Sequence, residues 1–585
     1  MRASASTTAP PPTAPPQRAV GIAPATTKDA VVAMSGLLLG MFVAILAGTV
    51  VSTALPRIIH DLGGGQTAYT WVVTASLLAT TVTTPVWGKL ADLLNRKTLI
   101  QLSLVIFTVG SALCGFAQDP GTLIGFRVLQ GIGSGGMMAL VQIVMADIVS
   151  PRDRGKYMGL IGAVMAVGTV GGPLLGGVIT DAWNWRWVFY VALPVAIAAL
   201  VVLQKTLHVP PRTPGKVRID YVGTSLIAGG VSLLLIWVSL AGNTFEWISV
   251  TSGVLLGASI LLLVALVLVE LRAAEPIIPM TLFASRTFTL SVVASIAVGV
   301  GMFGTTVYLT EYMQLSRGAT PTASGLMTFP MIAGLMVAST VAGALISKRG
   351  YWKSYMVTGA ALMTVGMGLM STMQWDTDFR LLSLYMVVLG SGVGMVMQNL
   401  VLIVQNDVDP RRIGVASSGI AFFRTLGGTL GVSALGALLT SGLAGRFADR
   451  QADLVAAAVA DGDPGKAALA ALHAGETPNV HGLIDGGASH TAAVIQSVFG
   501  SAIGELFLVA VPLAVITILA LVFLPNKPLG VKTTGQRIAG GEGPAGDHTD
   551  ADADAHAAAS PMVPIVIETI AQPGEPAGGT GRPRE

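Results

Sequence analysis

The chain has 585 residues, of which 52% are hydrophobic and only 11% charged, and its mean hydropathy is +0.71. Apolar residues gather in runs of about twenty, enough to cross roughly 30 Å of hydrocarbon, which excludes a soluble domain and predicts a polytopic membrane protein. A net charge of +3 is too small and too scattered to suggest a nucleic-acid partner, and Cys114, the single cysteine, excludes an intrachain disulfide and any cysteine-cluster metal site.

Residues 1–30 are rich in Pro, Ala and Thr and lack the charged start, apolar centre and cleavage site of a signal peptide, so a disordered tail is expected. Fourteen apolar windows follow, near 31–54, 69–88, 98–117, 121–147, 157–180, 187–204, 220–240, 248–270, 288–311, 325–346, 354–373, 380–405, 414–441 and 503–524. An even number of spans puts both termini on one side of the bilayer. Lys89, Arg96, Lys97, Arg152, Arg154, Lys156, the segment Lys205 to Arg218, Lys348, Arg349, Lys353, Arg411 and Arg412 all fall on that side. By the positive-inside rule the termini are cytoplasmic. The one long loop, 442–500, lies outside. Its segments Arg446 to Leu454 and 466–475 read as amphipathic surface helix, either a lid or a plain excursion. Beyond Pro525 the chain is rich in Gly, Pro, Asp and Ala and is expected to be a disordered tail, with one apolar island from Pro561 to Ile570.

Sliding the chain on itself by 259 positions sets Gly131 on Gly390, Gly133 on Gly392, Gly135 on Gly394, Met138 on Met397, Pro151 on Pro410, Arg152 on Arg411 and Gly155 on Gly414. A three-residue gap continues the match, Thr169 to Gly172 facing Thr425 to Gly428. The fourth and fifth helices thus recur as the twelfth and thirteenth, an interval of eight spans. Two six-helix bundles in one orientation, 31–204 and 276–525, with an extra helix pair in a linker at 205–275 and a tail at 526–585, account for that interval. Parallel repeats of this kind place a substrate cavity at the midplane between bundles that rock.

Within these helices Gly131 to Gly136 spells GxGxxG, but the glycines continue a spanning helix instead of opening one after a strand, so a dinucleotide site is dismissed. No phosphate loop, GxSxG or HExxH is present, which predicts no enzyme, no cofactor and no metal. Energy for pumping would come from an ion gradient or from another protein.

Gly168, Gly172 and Gly176, four apart with Pro173 between them, form a face where another backbone can come close and a point where the helix can bend. The position of Pro173 is taken by Thr429 in the second repeat, so a bend belongs to the first bundle alone. Between the second and third helices, Gly88 permits close approach, Asp92 can pair with a cation or cap a neighbouring helix, and Arg96 anchors to the membrane face, the parts of a latch. Arg127 lies inside the fourth helix, where charge is costly, and is a functional candidate facing the bundle interior beside Gln130, or a clamp on carbonyls. Arg424 sits early in the thirteenth helix, where snorkelling is the competing role. Asp147, Glu311 and Glu505 are the acids near spans that could carry a proton, or else cap helix ends. Trp71, Phe107, Phe126, Tyr308, Phe422 and Phe423 are packing aromatics or the walls of a cavity for flat cations.

As a set these residues resemble the major facilitator superfamily, in particular its fourteen-helix drug:proton antiporters, over about residues 35 to 525. Gly88 to Lys97 is similar to the loop between helices two and three, and Leu123 to Gly131 to the fourth-helix proton-transfer motif. Gly168 to Gly177 resembles the fifth-helix antiporter motif, and Trp185 to Phe189 with Pro194 the entry to the sixth helix. Two departures stand out: Ala47 where the family often has an acid, and Ala192 where it often has Asn. The resemblance implies a monomeric inner-membrane antiporter that exports amphipathic or cationic compounds against protons by alternating access. Its coupling would lean on Arg127 with Asp147 or Glu311, and Gly168 to Gly177 would serve as hinge and seal. Export of one metabolite such as an antibiotic, siderophore or amino acid is the alternative within transport, and a non-transporting receptor or scaffold the alternative outside it.

Overall fold

The computed structural model describes residues 27–64, 66–207, 220–242, 244–473 and 480–539. Their regular structure is helical apart from one isolated bridge between Ala241 and Phe245. The long helices are α1 (Thr27–Asp61), α2 (Gln66–Leu93), α3 (Arg96–Gly115), α4 (Pro120–Ile148), α5 (Pro151–Ala182), α6 (Trp187–Thr206) and α7 (Tyr221–Leu240), followed by α8 (Val250–Glu270), α9 (Arg286–Glu311), α10 (Phe329–Arg349), α11 (Lys353–Met370), α12 (Phe379–Asp407), α13 (Ile413–Asp449) and α14 (Ser489–Phe523). Eleven helices among the described residues are long and apolar enough to cross a membrane by length and composition; α2, α5 and α11 are not among them.

Helices are the expected answer to hydrocarbon, which offers nothing to an unpaired N–H or C=O. Their starts follow from short polar residues set ahead of apolar runs. Asp119 closes a capping box with Thr122 ahead of Pro120, Ser150 accepts from the Asp153 N–H ahead of Pro151, and Ser249 and Ser285 do the same for α8 and α9.

Helices α1–α6 pack as one group and α9–α14 as another. In the first, α4 lies on α2 and α3, α5 on α1, and α6 on α1 and α3; in the second, α12 lies on α10 and α11, α13 on α9, and α14 on α9 and α11. Every pairing recurs eight helices later, the interval of the sequence repeat. The repeated glycines explain why. Gly131 and Gly135 let α4 lie on the backbone of α2 at Ser76 and Thr80, and Gly133 brings it onto α3 at Phe107; Gly390 and Gly394 meet α10 at Met331 and Leu335, and Gly392 meets α11 at Met363. The GxGxxG letters are therefore a helix-packing device. Helix α7 packs on α8 and also on α2 and α13, so the extra pair lies along one seam between the groups.

Both described chain ends lie on one face, here termed the terminal face, and several expectations change there. Helix α2 runs on to Leu93, so Gly88 and Asp92 belong to a helix and the connection to α3 is only Leu94 and Asn95. The expected tail begins as a strap: Leu529 N–H donates to the Gly350 carbonyl, Gly530 N–H to Asn406 Oδ1, and Thr534 Oγ1 to the Ala146 carbonyl. On the opposite face α13 and α14 project past the expected 442 and 500, to Asp449 and back to Ser489, and short helices Gln451–Ala460, Asp463–His473 and Val480–Asp485 lie between them. The expected amphipathic segment Arg446 to Leu454 is thus divided at Arg450. Residues 1–26, most of the segment Lys205 to Arg218, and Pro561 to Ile570 lie outside the described residues, and the expected disorder of 1–30 therefore bears only on 27–30, which open α1.

Candidate transport site between the two helix groups

The groups meet through two crossings related by the repeat. Helix α5 crosses α10 where Gly155 meets Gly343, Gly159 meets Thr340 and Gly162 meets Ser339; helix α13 crosses α2 where Gly414 meets Gly88. A Cβ at any of Gly88, Gly155, Gly343 or Gly414 would overlap the partner backbone or side chain, so only glycine allows such approach. Both crossings lie near the terminal face, and together they close it.

Polar contacts lock that closure. Asp92 on α2 reaches across to α13, where its Oδ1 accepts from Gly414 N–H at 2.8 Å and its Oδ2 from Val415 N–H at 2.9 Å. These are among the first, otherwise unpaired N–H groups of a helix, where a carboxylate also meets the positive end of the helix dipole. Arg96 Nη2 donates to Asp92 at 3.2 Å while Nη1 pairs with Asp147 on α4 and Nε donates to the Ala91 carbonyl. Deeper in the seam, Gln405 on α12 donates through Nε2 to Ser417 Oγ on α13 and to the Gln142 carbonyl on α4, and its Oε1 accepts from Arg154 Nη1 at 3.0 Å. Ser347 occupies the place of Asp92 at the second crossing. Its carbonyl accepts from Arg152 Nε at 3.2 Å.

Gly168, Gly172 and Gly176 are not at this seam. Thr49 Oγ1 of α1 donates to the Gly168 carbonyl at 2.9 Å, a Cβ at Gly172 would overlap Thr49, and the Gly176 carbonyl accepts from Thr180 Oγ1. The ladder packs α5 against α1 inside the first group. Helix α5 is continuous past position 173, and the side chain of Pro173 lies outside what the structure describes.

The remaining candidates are dispersed. Arg127 is buried inside the first group, with Nη1 donating to Gln130 Oε1 at 2.6 Å and Nε to the Val72 carbonyl, and Gln130 Nε2 continues to Ser111 Oγ. Gln130 therefore faces α3 and not the second group. Phe126 packs in an apolar cluster of α1, α3 and α6, and Trp71 is half-buried on α2. The Tyr308 hydroxyl donates to the Val432 carbonyl within the second group. Phe422 lies with Val82 beneath Ile227 of α7, 5.1 Å edge-on from Phe423. These aromatic residues form no common cage. Glu505 pairs with Arg446 on the opposite side from the latch, and Glu311 is half-buried where α9 gives way to a π-helical turn, Tyr312–Ser316. Arg424 is buried at mid-depth on α13.

Residues 37–432 match the sequence profile of the Major Facilitator Superfamily. The chain belongs to this superfamily. An uncharacterized MFS-type transporter of Mycobacterium tuberculosis is 40% identical over 496 residues, which cover 85% of this chain and 69% of that protein. The multidrug transporter protein MdtP of Bacillus subtilis is 38% identical over 408 residues, 70% of this chain and 75% of the relative. Among solved structures, the proton:xylose symporter XylE shares the fold with a TM-score of 0.54 at 14% identity, over 88% of this chain and 99% of XylE. As a major facilitator the chain is a multi-pass membrane transporter of small molecules and not an enzyme.

Sequence reasoning missed the α5–α10 crossing and the amides of the superfamily member's seam. Gly155 and Gly159 are spaced by four, and Gln398 and Gln405 stand seven apart in an apolar helix, so the signals were present. Such spacing marks a close or polar helix face but does not name the partner.

Proposed function

We propose that this transporter is an exporter of amphipathic compounds, a secondary antiporter that exchanges substrate for protons by alternating access. In this reading fourteen spans form two six-helix bundles, 31–204 and 276–525, and an extra pair at 205–275, and the bundles rock against each other in a monomer with both termini in the cytoplasm. The observation that carries it is the contact of Asp92 with Gly414 and Val415, a charge-assisted joint between groups that can be broken without breaking either group. The names multidrug transporter and efflux pump among the relatives support export. No nucleotide-binding loop is present in the sequence, which leaves an ion gradient or another protein as the source of work; in this reading it is the proton gradient, and each proton crossing 100 mV supplies about 2.3 kcal/mol.

Of the candidate acids, Asp147 is committed to Arg96 and Glu505 to Arg446, whereas Glu311 has no ion pair among the described residues and is assigned the proton. Arg127 sets the polar interior of the first bundle during the cycle, and Gly168 to Gly177 acts as its hinge, with Pro173→Ala expected to cut export at unchanged protein level. The test is purified protein in liposomes with an imposed pH gradient, following ethidium flux and internal pH together. Coupled counterflow that falls in Arg127→Ala and Glu311→Gln is expected. Flux without proton movement, or normal coupled flux in Arg127→Ala, would overturn the coupling scheme.

A further inference from the structure

We infer that the space between the two bundles holds an anion-recognition site centred on Arg424, built for an amphipathic compound that carries a carboxylate beside a hydrogen-bond donor. Arg424 is 8% exposed, its Nη1 has no hydrogen-bond partner, and no carboxylate lies within ion-pair distance of it among the described residues. A guanidinium buried without a counter-charge is among the costliest arrangements a fold can retain.

Its position follows from the seal. The hydrogen bond from Gln405 to Ser417 ties α12 to α13, and two helical turns beyond it, away from the terminal face, stand Gln398 on α12 and Arg424 on α13. Residues seven apart share a helix face. Arg424 is about 16 Å into its helix at 1.5 Å per residue, close to mid-depth. Gln398 Nε2 contacts Met165 Sδ on α5 of the other bundle at 3.2 Å, so this level lies on the seam. Gln398 Oε1 and Gln142 Oε1 are also buried without partners. One cation, Gln398 Oε1 at the corresponding turn of α12 and Gln142 Oε1 beside the Gln405 hydrogen bond are thus left unsatisfied along this seam.

The charges elsewhere select the ligand. Asp92 and Asp147 are held by Arg96 near the terminal face, and Glu311 and Glu505 lie toward the opposite face, so no described acid shares the mid-depth seam with Arg424. A cationic compound would find no counter-charge beside the guanidinium and would have to bind away from it, while a carboxylate would pair with the guanidinium and a neighbouring N–H or O–H would donate to Gln398 Oε1. The fold itself does not demand the charge. In the repeat, Gly168 takes the place of Arg424, and the first bundle packs with glycine there.

That the ligand is exported rests on the transport reading; that it binds does not. The test is equilibrium binding to the detergent-solubilised full chain, by fluorescence anisotropy, of dansylglycine, which has a free carboxylate beside a sulfonamide N–H, and of its uncharged methyl ester, with parallel flux in liposomes. Arg424→Gln should weaken binding of the acid about ten- to hundredfold and leave the ester within about twofold, Arg424→Lys should fall between, and Gln398→Met should weaken the acid less. Equal losses for both probes, an unchanged acid affinity in Arg424→Gln, or no binding of the acid to the unmodified protein would overturn the site. Binding that depends on Arg424 without flux would keep the site and remove the exporter reading, whereas flux of both probes indifferent to Arg424 would do the reverse.

Discussion

Gly155 and Gly343 cross backbone on backbone, so that a Cβ on either would overlap the other's carbonyl oxygen. The contact joins the bundles with no side chain between them, and one methyl group must push α5 and α10 apart. Gly343→Ala is expected to open the terminal face. A reporter cysteine at Ser339→Cys in a Cys114→Ala background should then react with maleimide added on that side several-fold faster than without Gly343→Ala. Equal rates would mean that the helices absorb the methyl group by sliding.

Asp92→Asn keeps the shape of the latch but has one acceptor where two N–H groups need them, and it loses the charge at the start of α13. The loss is on the order of 1–2 kcal/mol, a shift of about five- to thirtyfold toward the terminal-open state. The same cysteine reporter should quicken accordingly, and export should slow. Removal of Arg96 by Arg96→Ala should act in the same direction, because Asp92 and Asp147 would then face each other without their shared cation.

The strap beyond Leu524 touches both bundles. Lys527 Nζ pairs with Asp407 at 2.5 Å, the Gly530 carbonyl accepts from Arg152 N–H at 3.0 Å, and Arg537 Nη2 donates to the Val408 carbonyl. Ending the chain after Leu529 removes the contacts to the first bundle and leaves those of Lys527. Faster labelling of the reporter cysteine with unchanged protein level is expected; an unchanged rate would make the strap a passive cover.

Asp461 holds the start of α14 through Thr491 N–H at 2.7 Å and His490 N–H at 3.2 Å, with His490 Nδ1 at 2.8 Å. Burial pushes its carboxyl up, but these hydrogen bonds outweigh it and hold the group at about 2. The folded value is below the unfolded one of about 3.9, so the stabilisation is complete above that pH and is lost as pH falls through about 2. Pepsin should cut between Arg450 and Ala488 increasingly as pH drops from 4 to 2. Asp461→Asn should be cut readily across that whole range.

Much of the architecture was legible because its tightest contacts require one residue type. Gly131, Gly133 and Gly135 recur as Gly390, Gly392 and Gly394 since α4 and α12 each lie on two neighbours, and the interval of eight helices could be read from the letters alone. The seam was less legible. Gly155 gave its counterpart Gly414 but not its partner Gly343, because a glycine records closeness and not identity. Gln130 looked like a cavity residue next to Arg127, yet the hydroxyl of Ser111 on a different helix draws it inward. The strap was hidden for another reason: it is held mainly by backbone groups of Leu529 and Gly530, which leave no trace in side-chain pattern.

Helix α7 makes the two seams unequal. Along α2 and α13, Ile227 and Val231 sit over Val82 and Phe422, whereas no described helix outside the bundles packs over the crossing of α5 and α10. A compound dissolved among the lipid chains thus meets a wall on one flank of the molecule and bare helix edges on the other, which gives the near-twofold protein a front and a back.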